Sequence, residues 1–112
     1  MSVEILGMIT ATPSSEVDQP LGEAVVAGFV RRFAQAHEDA GFDRVLGGYF
    51  SNAAEGAVVS SFGAAATRRL GVLLAYRPGV IAAPLAARQL ATLDQFSEGR
   101  LALNVVSGGN DE

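Results

Sequence analysis

The sequence predicts a parallel α/β fold, and three observations lead there. Four short apolar runs, at residues 3–9, 44–48, 70–75 and 101–106, are separated by stretches whose apolar residues recur every three or four positions, so strand alternates with helix. The third run, Leu-Gly-Val-Leu-Leu-Ala, lacks polar alternation, as expected of a parallel strand covered on both faces. The composition, 49% hydrophobic with 13 Gly and only 7% aromatic residues, suits helices packed closely on a sheet.

In chain order, Val3 to Ile9 is expected as a buried strand, followed by a polar turn cluster at Thr10-Ala11-Thr12-Pro13-Ser14-Ser15. From Glu23 to Ala40 the apolar positions Val26, Phe29, Val30, Phe33 and Ala34 paint one face of a helix. Gly41 followed by Phe42 marks its end, because a left-handed glycine and a following apolar residue make a Schellman cap. Arg44 to Gly48 is a short second strand, and Ala53 to Ala66 an alanine-rich helix. Leu70 to Ala75 is the third strand. Tyr76-Arg77-Pro78-Gly79 makes a loop, and Pro84 suits the first turn of a helix that runs to Phe96 and stops at Gly99. Leu101 to Val106 is the fourth strand, leading into a loop from Ser107 to Glu112.

Strands that alternate with helices pair in parallel through right-handed crossovers. A doubly wound nucleotide-binding fold needs a glycine-rich turn after its first strand, and residues 7–23 hold neither G-x-G-x-x-G nor a P-loop pattern. A (β/α)8 barrel uses about 250 residues for eight units, so about 31 each, and 112 residues would hold about three and a half units. The four expected strands fit that arithmetic, and the chain, 1–112, is expected to form one domain.

Charge and composition narrow the function. The eight basic residues are all Arg against 12 acids, giving a net charge of -4, which argues against nucleic acid as a partner. No apolar run is long enough to span a bilayer and no signal peptide is evident, so a cytoplasmic protein with no membrane partner is expected. Cysteine is absent, which excludes disulfides, thiolate nucleophiles and Cys-based metal sites. His37 is the only His. On a helical face with Val30 and Phe33 it is expected to be a packed structural residue, and no metal is expected. The pairs Arg31/Arg32 and Arg68/Arg69 are expected as solvated faces or helix-end charges.

Four segments carry a resemblance. They are Ala36 to Leu46, Tyr76-Arg77-Pro78, the A-A-R-Q-L-A-T-L-D-Q-F-S-E-G-R run from Ala86 to Arg100, and Asn104-Val105-Val106-Ser107-Gly108-Gly109. Together they resemble the bacterial luciferase-like flavin monooxygenases, most of all the alkanesulfonate monooxygenase branch. The resemblance implies a (β/α)8 barrel of which this chain is the N-terminal part. It also implies reduced FMN delivered by a separate flavin reductase, molecular oxygen as co-substrate, a small organosulfur or related substrate, and a homo-oligomer at full length. Two alternatives stay open: a deazaflavin-dependent reductase of the same superfamily, and a truncated non-catalytic chain.

The resemblance also nominates cofactor-binding residues. Asn104 is a polar residue in an apolar strand, near the end where barrels bind ligands; it either bonds the flavin ring or is a buried amide satisfied by neighbouring backbone. Ala75 and Tyr76 fall where the family carries a cis peptide bond under the ring, against the alternative of an ordinary extended turn before Pro78. Ser107 would face the cofactor or simply turn the chain. Arg77 would attract an anionic sulfonate or pair with an acid such as Asp94. The sequence also departs from the branch: Ala53 stands nearest to where some members carry a Cys, and Thr10 or Thr12 where a His ends the first strand. Catalytic residues are expected beyond position 112.

Overall fold

The computed structural model describes residues 2–13, 17 and 22–107. Seven elements follow one another: β1 (Leu6–Ile9), α1 (Ala27–Asp39), β2 (Arg44–Gly47), α2 (Gly56–Ala65), β3 (Gly71–Tyr76), α3 (Ala83–Phe96) and β4 (Leu101–Val105). The strands form one sheet in the order β1-β2-β3-β4. Every pairing is parallel, with Met8 beside Leu46, Leu46 beside Leu73 and Leu73 beside Ala102.

Two features decide the architecture. Strand order follows chain order, whereas a doubly wound sheet reverses direction at a switch point. The helices also share one face: Ile9, Val30, Ala34, Val45 and Val59 form one core cluster, and Leu90 of α3 joins Ala64, Val72 and Leu74 in a second on the same side. Strand alternation sends Leu6, Met8, Leu46, Leu73, Ala75, Ala102 and Asn104 to the opposite face. The fold is α/β with four parallel strands, as in the N-terminal part of a luciferase-like (β/α) barrel, and the helix-free face is the one that turns toward a barrel's interior.

That open face corrects one expectation. β1 is buried on one face only: Ile9 lies in the core, while Leu6 and Met8 are 48% and 44% exposed, because no described element covers the interior side. The strand also starts at Leu6 rather than Val3, since β2 begins only at Arg44. Residues before Leu6 lack a parallel partner, and Ile5 instead gives its N–H to the Asp43 carboxylate at 2.7 Å.

Helix starts shift for similar reasons. α1 begins at Ala27, not Glu23, because Val26 is extended and donates its N–H to the Ala11 carbonyl at 2.9 Å. α2 begins at Gly56, not Ala53, because the Glu55 carboxylate caps it by accepting from the N–H groups of Ala57 and Val58. The expected cap at the end of α1 is present: Phe42 donates to His37 O, Gly41 to Glu38 O, and Gly41 has φ +84°. Pro84 lies in the first turn of α3, as expected. Phe96 is 83% exposed rather than part of the α3 inner face, where Ala86 and Leu93 are buried.

His37 packs as expected. Its ring is edge-on to Phe33 and Phe42, Nδ1 lies 2.8 Å from the Phe33 carbonyl, and it covers β1 so closely that a Cβ on Gly7 would sit 2.3 Å from the ring. The basic pairs do more than face solvent. Arg31 lies over the Phe62 ring of α2, 5.5 Å from its centroid. The backbone N–H groups of Arg68, Arg69 and Leu70 all point at the Glu38 carboxylate.

Candidate active site at the strand C-termini

Parallel strands put all their C-terminal ends at one edge of the sheet, and loops leaving that edge build the ligand sites of barrels. Here the edge carries Thr10, Gly48, Ala75, Asn104 and the residues just after them. Ala75 and Asn104 are direct register partners on the interior face. Tyr76 is the next residue, so alternation turns its side chain to the helix side, beside Val105.

Asn104 is exposed, which removes the demand for a buried amide to find partners, and its side chain makes no hydrogen bond to another described residue. The reason is tertiary: β4 is an edge strand and its interior face is open. Ser107 is exposed two residues beyond β4, after Val106 has closed the ladder by donating to Tyr76 O at 2.9 Å. The rest of that loop, Gly108 to Glu112, lies outside the described residues, as do Ser14 and Ser15 of the first loop.

The cis bond expected within Ala75-Tyr76-Arg77-Pro78 is not present, since none of the described peptide bonds is cis. Tyr76 simply continues the β3 ladder opposite Val105. Arg77 lies over the Tyr49 ring, 5.9 Å from its centroid, while Asp94 sits in the last turn of α3 at the opposite end of the sheet.

Two cavities flank this edge. One, about 1000 Å³, opens between α2 and α3 and is lined mainly by apolar residues such as Val58, Leu74, Leu85 and Phe96, with Tyr76 and Arg77 at its upper end. It runs down the helix side of β3 and is a gap between helices rather than the mouth of the sheet. The other, about 720 Å³, sits over the ends of β1 and β2, where Met8, Thr10, Glu23, Gly48, Ser51 and Asn52 meet. The Thr10 hydroxyl bonds the Thr12 carbonyl at 3.0 Å and fixes the first of these loops. Among the described residues no cluster of three or more His, Asp or Glu is placed to hold a metal ion, and no helix is long and apolar enough to cross a membrane.

Of the sequence-nominated residues, the structure therefore brings Ala75 and Asn104 together on the interior face, sets Ser107 just beyond them and turns Tyr76 away. Glu23, which lines the second cavity, was read from the sequence as the start of α1, because the helical periodicity absorbed it.

An in-order, singly wound parallel sheet with its described helices on one face defines the class as an α/β fold consistent with the N-terminal part of a (β/α) barrel, a class whose ligand sites lie at the C-terminal edge of the strands. The chain belongs to the luciferase-like monooxygenase family, whose sequence profile matches residues 5–112. Among solved structures it is similar to a riboflavin lyase crystallised with modified FMN and its substrate riboflavin, with a TM-score of 0.71 and 22% sequence identity. The match covers 93% of this chain and 29% of that one, so the chain spans under a third of that enzyme's length and the likeness is one of fold.

Proposed function

We propose that the protein carrying this chain is a flavin-dependent oxidoreductase, a monooxygenase that uses reduced FMN and molecular oxygen on a small organosulfur or related substrate. The observation that carries this is the Ala75–Asn104 register pair on the interior face at the ligand end of the sheet, in a chain of the luciferase-like monooxygenase family. The assignment to the alkanesulfonate branch rests on the motif resemblance alone.

The residues fit such a cofactor. The Asn104 amide offers two donors and an acceptor, none engaged with another described residue, which suits the mixed donor–acceptor edge of an isoalloxazine ring. Ala75 opposite it has a side chain small enough to let a flat ring approach. When bound, reduced FMN supplies the electrons that activate oxygen. This chain's contribution is to bind and orient: Asn104 and the Ser107 hydroxyl hold the polar edge, and the apolar interior residues Leu46 and Leu73 keep water from the ring's underside. Phosphate anchoring is the task of loops after the seventh and eighth strands of a barrel, outside this chain. A separate reductase would supply the reduced flavin, and a homo-oligomer is proposed for the full-length protein.

The test is an anaerobic titration of the full-length protein with reduced FMN beside an Asn104→Leu variant. Affinity is expected to fall by about 1–3 kcal/mol, the cost of leaving polar atoms unpaired, with the melting temperature nearly unchanged because Asn104 is exposed. Unchanged affinity would remove Asn104 from the site. A deazaflavin in place of FMN would be identified by the absorption spectrum of the bound cofactor.

A further inference from the structure

The loop leaving β2 places an aromatic ring at the candidate site. Phe50, just beyond that strand, is 58% exposed, and its ring lies against Gly48 so closely that a Cβ there would sit 2.6 Å from Cε2. The neighbouring glycine shows which side this is. A Cβ on Gly47 would collide with the Ser60 hydroxyl of α2, so Gly47 faces the helices, and alternation turns Gly48 and the ring upon it to the interior side. A turn closed by the Ala53 N–H and the Phe50 carbonyl, at 3.3 Å, holds the backbone that carries the ring.

Register sets this ring across a shallow floor from Asn104. Gly47 pairs with Leu74 and Ala75 with Asn104, so one residue further along β2 the positions Gly48, Ala75 and Asn104 stand in one row. Neither Gly48 nor Ala75 raises a bulky side chain between the two ends. Neighbouring strands lie about 4.8 Å apart, so the row measures about 10 Å from β2 to β4, the reach of a fused tricyclic ring. An amide stands at one end and a phenyl ring at the other. A flavin whose polar pyrimidine edge bonds Asn104 carries its apolar carbocyclic end to Phe50, where apolar surface meets apolar surface.

We infer that Phe50 is a cofactor-contacting residue that packs on the carbocyclic, methyl-bearing end of the isoalloxazine ring and so fixes which way round the flavin lies. The inference rests on the flavin reading above and adds an orientation to it. Its basis is the contact between Phe50 and Gly48 and the register of β2, β3 and β4.

The experiment titrates the full-length protein and its Phe50→Ala variant, under anaerobic conditions, with reduced FMN and with an FMN analogue that lacks both methyl groups of the carbocyclic ring. Phe50→Ala is expected to weaken FMN about five- to tenfold, the effect of losing part of a phenyl-sized apolar contact. In the unmodified protein the analogue should bind about fourfold more weakly than FMN, the worth of about one buried methyl, and in Phe50→Ala the two should bind alike. The melting temperature should hold, because the side chain is mostly exposed; should it fall, Phe50→Leu replaces Phe50→Ala and is judged by the same two readings with smaller changes. Unchanged affinity for FMN, or a methyl effect of equal size with and without Phe50, overturns the inference and leaves the flavin reading standing. Failure of the full-length protein to bind FMN at all overturns both.

Discussion

The two ends of the sheet are built differently. At the N-terminal end, side chains stitch together elements far apart in sequence. Arg100 bonds the carbonyls of Ser97, Leu70 and Ala64 and the Thr67 hydroxyl, so one guanidinium ties α3 to the end of α2 and the entry to β3. Glu38 gathers the N–H groups of Arg68, Arg69 and Leu70, Asp43 takes that of Ile5, and Arg44 pairs with Glu4 at 3.3 Å. At the C-terminal end, Thr10 reaches only Thr12 and Glu55 only Ala57 and Val58. Among the described residues, side chains from distant elements cross-link the N-terminal end more than the C-terminal one, the contrast expected where one end of a barrel carries the loops that bind ligands.

The contrast also sorts the motifs. The long run ending in Ser-Glu-Gly-Arg closes on Arg100 and so belongs to the fastened end, where it specifies structure. Asn104 to Ser107 belongs to the C-terminal end, where Asn104 and Ser107 are exposed.

The largest effect should come from cutting the fastened end. Arg100→Met removes four hydrogen bonds, leaving the Ser97 carbonyl with the Arg100 N–H and the Ala64 carbonyl with Thr67, and we expect a loss of about 2–4 kcal/mol in thermal or denaturant unfolding. Flavin affinity of the folded fraction should be unchanged. A variant that loses flavin binding but not stability would erase the division between the two ends.

Next comes the His37 contact on β1. Gly7→Ala drives a methyl into the imidazole and should cost about 1–3 kcal/mol, unless the ring can move aside. Adding His37→Ala to Gly7→Ala should recover part of that loss, and strictly additive melting temperatures would show that the contact is not what limits residue 7.

At the open end the expected stability change is smaller. Thr10→Val removes the bond to Thr12 and should shift stability by about 0.5–1.5 kcal/mol, with its larger consequence in ligand binding over β1.

The smallest effect concerns pH. Desolvation by burial alone would raise the Glu38 carboxyl, but the backbone hydrogen bonds from Arg69, Leu70 and Arg68 and the charge of Arg69 together outweigh it and hold the group below its ordinary value. A lowered folded value means that the contribution is present above the unfolded value of about 4.3 and is lost as pH falls through the folded one. Unfolding measured from pH 6 down to acid should show this loss in the native protein and a flatter profile in Glu38→Gln.

Periodicity and punctuation in the sequence determined much of the fold. The spacing of Val30, Phe33 and His37, the Gly41-Phe42 stop, Pro84 and the unbroken apolar run before Tyr76 each encode a local preference that tertiary contacts did not override. The element order predicted a parallel α/β sheet, and the in-order strand arrangement then spoke against a doubly wound one. Asn104 also stands out in the sequence as an amide in an apolar strand, and the structure sets it on the helix-free face.

Only the tertiary structure decided what depends on partners distant in sequence. Whether β1 starts at Val3 or Leu6 is set by where β2 begins, and whether α1 starts at Glu23 or Ala27 by the Ala11 carbonyl that claims Val26. The same holds for the exposure of Asn104, the direction of Tyr76 and the role of Arg100. Local sequence encodes backbone preference and hydrophobic period, but register, exposure and charge environment are properties of the assembled sheet, fixed by residues thirty or more positions away.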